Sequence, residues 1–175
     1  MPTRSEITDK LERERIQLES RYRALSPEQL TSPCTESQTE GEAPWSAKDH
    51  VSHLAMIERA FQGMIRRSLD GQKNPVGFDF ESSSRDEIIA RVHHGNQENV
   101  DQHRDDDLDT LFADLDAARA DTLALMDSLT DEQLAAPLPG APWADGTIGG
   151  VILTNAHHAM QHWTWVEEGL ARTPD

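Results

Sequence analysis

One cysteine, one tyrosine and no long apolar run: what this chain has little of narrows its class before any motif is read. The lone Cys34 excludes an internal disulfide. No apolar run approaches the ~20 residues that span a bilayer, and the opening MPTRSEITDK lacks the apolar core of a signal peptide. The expected location is therefore cytoplasmic, with no membrane partner. Aromatics make up 5% of the residues, so a core must be built mainly from Leu, Ile, Val, Ala and Met, which suits helices. Basic residues are scarce as well, with 16 Lys and Arg against 32 Asp and Glu and a formal charge of −16. Such a surface repels phosphate backbones and anionic head groups, so the expectation is no nucleic-acid partner. At 175 residues, one domain covering 1–175 is expected.

What is present is helical periodicity. Ile7, Leu11, Leu18, Tyr22 and Leu25 share one face of a helix over about 4–25. A loop rich in Pro, Ser, Thr and Glu follows, from about 31 to 44, with Cys34 inside it. Ser46, with Asp49 three residues on, opens a second helix striped by Leu54, Ile57, Phe61, Met64 and Ile65 and stopped by the glycine of LDG at 69–71. The stretch QKNPVGFDF breaks any regular element. A shorter helix over about 84–102 carries Ile88, Ile89 and Val92. Asp106 or Asp107 starts the next, with Leu108, Leu111, Phe112, Leu115, Thr122, Leu125 and Met126 along one side. The last helix runs from about Thr147 to Leu170. Strand signals are almost absent, so the fold class is all-α.

The chain also echoes itself. LSPEQLTSP at 25–33 returns as LTDEQLAAP at 129–137, and each copy is followed by APW, at 43–45 and 141–143. Each APW leads into a histidine-bearing helix. Two related helix–loop–helix halves would pair around a pseudo-twofold axis. A common helix-opening device met twice would leave the same trace.

Three of the eight histidines fall within NAHHAMQHW, 155–163. At ~100° per residue, His162 lies with Ile148, Ile152, Ala159 and Trp163 on the core side, His158 a little further round, and His157 faces solvent. His158 and His162, spaced i and i+4, are close enough to share one ion. On the second helix His50 projects into the apolar stripe and His53 falls at its edge; either could meet that pair. Three neutral imidazoles from two helices make a zinc or nickel site with an open fourth position. Read without an ion, the same residues are hydrogen-bonded core histidines. His93, His94 and His103 belong to a solvated helix face or a cavity edge. Trp163 and Trp165 read as core and rim packing.

The stretch PWSAKDHVSHLAMIE, 44–58, resembles the second-helix signature of the DinB-like superfamily, in which a histidine stands eight residues after the Trp. From Trp45 that position is His53. HHAMQHWTWV resembles the superfamily's last helix, with its H-x-x-x-H at His158 and His162, and 113–134 is similar to its third long helix. The resemblance implies a four-helix bundle of up-down-down-up topology, with a short extra helix between the second and third. It also implies a divalent metal held by His53, His158 and His162, frequently in a homodimer. Relatives of this kind include thiol-dependent transferases and isomerases, and hydrolases. The related mycothiol-dependent maleylpyruvate isomerases carry Glu where this chain has His158, so maleylpyruvate chemistry itself is not implied.

The function expected is therefore a metal-dependent transferase acting on a small electrophile through a low-molecular-weight thiol. The thiol would come from outside, because Cys34 sits in a loop with nothing to activate it. A hydrolase using water, a small-molecule-binding or stress-response protein without turnover, and a purely structural bundle are the alternatives. His50, His93 and Asn96 are expected to line the cavity or stand behind the ligands.

Overall fold

A computed structural model describes residues 2–78, 81–141 and 143–172; Met1, Asp79, Phe80, Pro142 and 173–175 lie outside the described residues. The end of QKNPVGFDF and the proline of the second APW therefore have no structural description. The described elements are α1 (Arg4–Arg23), α2 (Pro27–Thr31), β1 (Pro33–Thr35), β2 (Trp45–Ser46), α3 (Ala47–Leu69), α4 (Arg85–His103), α5 (Leu108–Asp127), α6 (Asp131–Ala135) and α7 (Ile148–Arg172).

Local chemistry sets where the long helices begin. Thr3 and Glu6 form a reciprocal capping box at α1, and Ser84 and Glu87 another at α4. The Asp49 carboxylate accepts from the Ser46 N–H at 2.8 Å at the start of α3, and Asp107 accepts from the Thr110 N–H at 2.8 Å at α5. Despite its glycines, α7 starts cleanly, because the Thr147 hydroxyl accepts from the Gly150 N–H at 3.0 Å.

Side-chain contacts give each helix a direction. Arg4, at the start of α1, reaches the Leu129 carbonyl just beyond α5, and Arg23 at its end pairs with Asp109 at the start of α5. These two helices are antiparallel. Lys48 donates to the Asp106 carbonyl while Gln62 donates to Thr122, so α3 and α5 run the same way. His50 meets His162 and His53 meets His158, so α7 runs against α3. The order is up-down-down-up, an all-α bundle. The helix α4 is nearly as long as the bundle helices and packs on the flank of α3. In that position Ile88 is buried but Ile89 remains exposed.

Two apolar clusters fill the bundle. One gathers Ile7, Leu11, Ile65, Met126, Leu134 and Ile152; the other gathers Leu18, Tyr22, Val51, Phe112, Leu115, Trp163 and Val166. At the level between them Arg119 donates to both carboxylate oxygens of Glu58 at 2.7 and 3.0 Å and to the Leu11 carbonyl at 2.7 Å. A buried charge pair of this kind persists because its hydrogen bonds are complete.

The sequence echo is realised in three dimensions. Helices α2 and α6 carry matching capping boxes, Ser26 with Gln29 and Thr130 with Gln133. Pro33 then pairs with Ser46, as Pro137 pairs with Thr147, each just before a histidine-bearing helix. The 31–44 connection is thus more ordered than a plain loop. Cys34 is buried in β1, not in a flexible segment, which corrects the sequence expectation. The strand is pinned because α7 passes against it at Gly169, where a Cβ would overlap the Cys34 carbonyl. Replacing Gly169 by Ala is expected to cost about 1–3 kcal/mol. Urea denaturation, read as a lower midpoint at unchanged slope, checks this.

Candidate metal centre

Helices α3 and α7 bring four histidines together. His50, His53 and His162 are buried and His158 is half-buried. His53, His158 and His162 each present a ring nitrogen, and these atoms lie within 4.8 Å of one another. His158 Nε2 is 3.0 Å from His162 Nε2. Two nitrogens bound to one tetrahedral ion at about 2.0–2.1 Å would stand ~3.3 Å apart, so little motion is needed to share one. His53 Nδ1 is buried without a hydrogen-bond partner, which is unusual for a polar atom. The donor set therefore suits a divalent metal.

Electrostatics agree with that reading. Burial, with repulsion from neighbouring imidazolium as the lesser cause, lowers the pKa of His53 to about 3 and of His50 to about 4. Burial alone lowers His158 to about 4, and His162 is pushed down further still. All four are neutral near pH 7, with lone pairs free for an ion or a hydrogen bond.

The cluster lines a cavity of about 580 Å³. That is within the size of small-molecule sites. Trp45 forms one wall, its ring centroid 5.3 Å from His50 and 5.2 Å from His53, and its Nε1–H donates to Gln97 at 2.9 Å. Trp165 stands 4.7 Å from His162 on the other side. Glu36, Glu168 and Arg172 also line the cavity.

Of the residues singled out from sequence, His53, His158 and His162 converge, and His50 stands against His162 with Nδ1 to Nδ1 at 2.7 Å. His93 lines the cavity from α4; Asn96 does so too and donates to Gln38 at 3.2 Å. His157 faces solvent as expected, His94 is exposed beside Glu98, and His103 bonds Asp106 at 2.8 Å. Sequence reasoning missed Thr35 and the cavity role of Trp165. Trp165 lies three residues after His162, so helical spacing alone could have placed it on that face. Thr35 carried no such signal, because its place depends on β1 pairing with β2.

The sequence profile of the DinB superfamily matches residues 38–166, and the chain belongs to that superfamily. Comparison with curated proteins finds no match. Among solved structures, the fold is similar to that of the colibactin self-resistance protein ClbS in complex with a dsDNA. The TM-score is 0.70 at 18% identity, over 98% of this chain and 97% of that one. That protein was solved with a duplex, which overturns the expectation of no nucleic-acid partner drawn here from the charge of −16. The physical reason is range: beyond about 8 Å salt screens charge, so local contacts and not the summed charge decide such an encounter. No helix among the described residues is long and apolar enough to cross a membrane.

Proposed function

We propose that this protein is a divalent-metal-dependent enzyme of the DinB superfamily, joining a small thiol to a small electrophile. His53, His158 and His162 would hold the ion. The observation that carries this reading is the convergence of three neutral imidazole nitrogens within 4.8 Å at a cavity of about 580 Å³. Bound there, zinc or nickel would supply Lewis acidity, which stabilises a thiolate far more than a thiol.

The chain's own residues do the rest. Trp45 and Trp165 wall the histidines on the cavity side. His93 and Asn96 offer polar edges to a bound molecule from α4. The nucleophile must come from outside: Cys34 Sγ lies 3.5 Å from the Trp45 carbonyl, and burial raises its pKa to about 12. A thiol that stays protonated at neutral pH attacks nothing. A single domain over 1–175, a cytoplasmic location and a homodimer belong to the same proposal.

The test incubates zinc- or nickel-loaded protein with a low-molecular-weight thiol and monobromobimane. A metal-dependent rate that disappears in His158→Ala is expected. Metal bound with no rate for any thiol would instead indicate a binding protein, and turnover of an ester without thiol a hydrolase. A double-stranded oligonucleotide belongs in the same series as a second candidate ligand, because the fold neighbour was solved on one.

A further inference from the structure

The proposed ion needs three imidazoles, and the site has four. His50, only 1% exposed, stands behind His162. Its Nδ1 is 2.7 Å from His162 Nδ1, and its Nε2 is 2.9 Å from Thr35 Oγ1. His162 turns its other nitrogen, Nε2, to His158. We propose that His50 is a positioning residue that fixes which nitrogen of His162 is free for the ion, an inference that rests on the metal reading above.

A neutral imidazole carries one N–H, and the nitrogen bearing it cannot be a ligand. For His162 Nε2 to offer its lone pair beside His158, its proton must sit on Nδ1. From there it donates to His50 Nδ1. His50 then carries its own proton on Nε2 and donates to Thr35 Oγ1. Each link fixes the next, so one hydrogen-bond chain runs from the ligand cluster to strand β1. Without an acceptor at His50, the Nδ1 proton of His162 would be buried unpaired, a penalty that opposes ion binding. An acceptor on the far nitrogen also holds the ring at its angle and raises the basicity of the ligating one. The pairing of β1 with β2, and the seat of α7 against β1 at Gly169, keep Thr35 in reach.

The full chain is titrated with zinc against a chromophoric chelator, and with cobalt(II) for its visible absorption. His50→Leu is expected to weaken zinc binding roughly 10–100-fold. It should also alter the cobalt spectrum, because the His162 ring loses the partner that holds its angle. His50→Asn, whose Oδ1 accepts where Nδ1 did, is expected to recover most of the affinity. Native affinity in His50→Leu, or a loss in His50→Asn as large as in His50→Leu, would overturn the role. Should His50→Leu not fold, Thr35→Val reads the chain from its far end: weaker zinc binding supports it, and unchanged binding overturns it. A native protein with no measurable zinc or cobalt affinity would overturn the metal reading itself.

Discussion

Replacing His162 by Ala is expected to lower zinc affinity by at least about 100-fold, since loss of a proposed ligand exceeds the 10–100-fold loss typical of an outer-shell partner. The reasoning follows from its two nitrogens. Nε2 faces His158 at 3.0 Å and Nδ1 faces His50 at 2.7 Å, so one side chain connects the ligand cluster to its support. Truncation leaves two imidazoles for the ion and strands His50 Nδ1 without a partner, which costs about 1–3 kcal/mol of stability. Competition with a chromophoric chelator reads the first effect, and urea denaturation of the metal-free protein reads the second. His157→Ala, one of the exposed histidines, is expected to change neither.

Acid is expected to destabilise the metal-free protein. In the unfolded chain these imidazoles take up protons near the ordinary value of 6.5. In the folded chain burial holds His50 and His158 at about 4 and His53 at about 3. Between those limits the unfolded state binds more protons, so stability rises with pH. It is therefore complete above about pH 6.5 and lost as pH falls toward 4. His50 alone, lowered from 6.5 to about 4, accounts for roughly 3 kcal/mol across that window. Urea midpoints measured from pH 7.5 down to 4.5 check this. Native protein should lose its midpoint progressively, and His53→Leu should show a shallower slope. A flat profile would mean that the histidines are solvated in solution.

Why some of this was legible in the sequence and some was not is a matter of range. The stripe Leu111, Phe112, Leu115, Thr122 and Met126 set the buried face of α5, because a helix converts spacing into direction. The same geometry placed His162 inward and His157 outward. Direction does not report depth. His53, read at the edge of its stripe, is as buried as the core because Trp45 and α7 close over it. The bond between His50 and His162 joins residues 112 apart, and no local pattern encodes it. Nor does any pattern encode β1, whose three residues are a strand only because β2 lies beside them. That missing pairing made the 31–44 segment look like a loop and put Cys34 in it rather than in a buried strand. Net charge misled for a related reason: it sums the whole surface, whereas an interface samples one part of it.

X-ray absorption at the zinc edge tests the central claim most directly. One zinc per chain, with three imidazole nitrogens at about 2.0–2.1 Å and a fourth, non-imidazole ligand such as water, is the predicted result. The signal should lose an imidazole in His53→Ala, His158→Ala or His162→Ala alike. Zinc surrounded only by oxygen, or no stoichiometric zinc in protein whose histidines are intact, would contradict it.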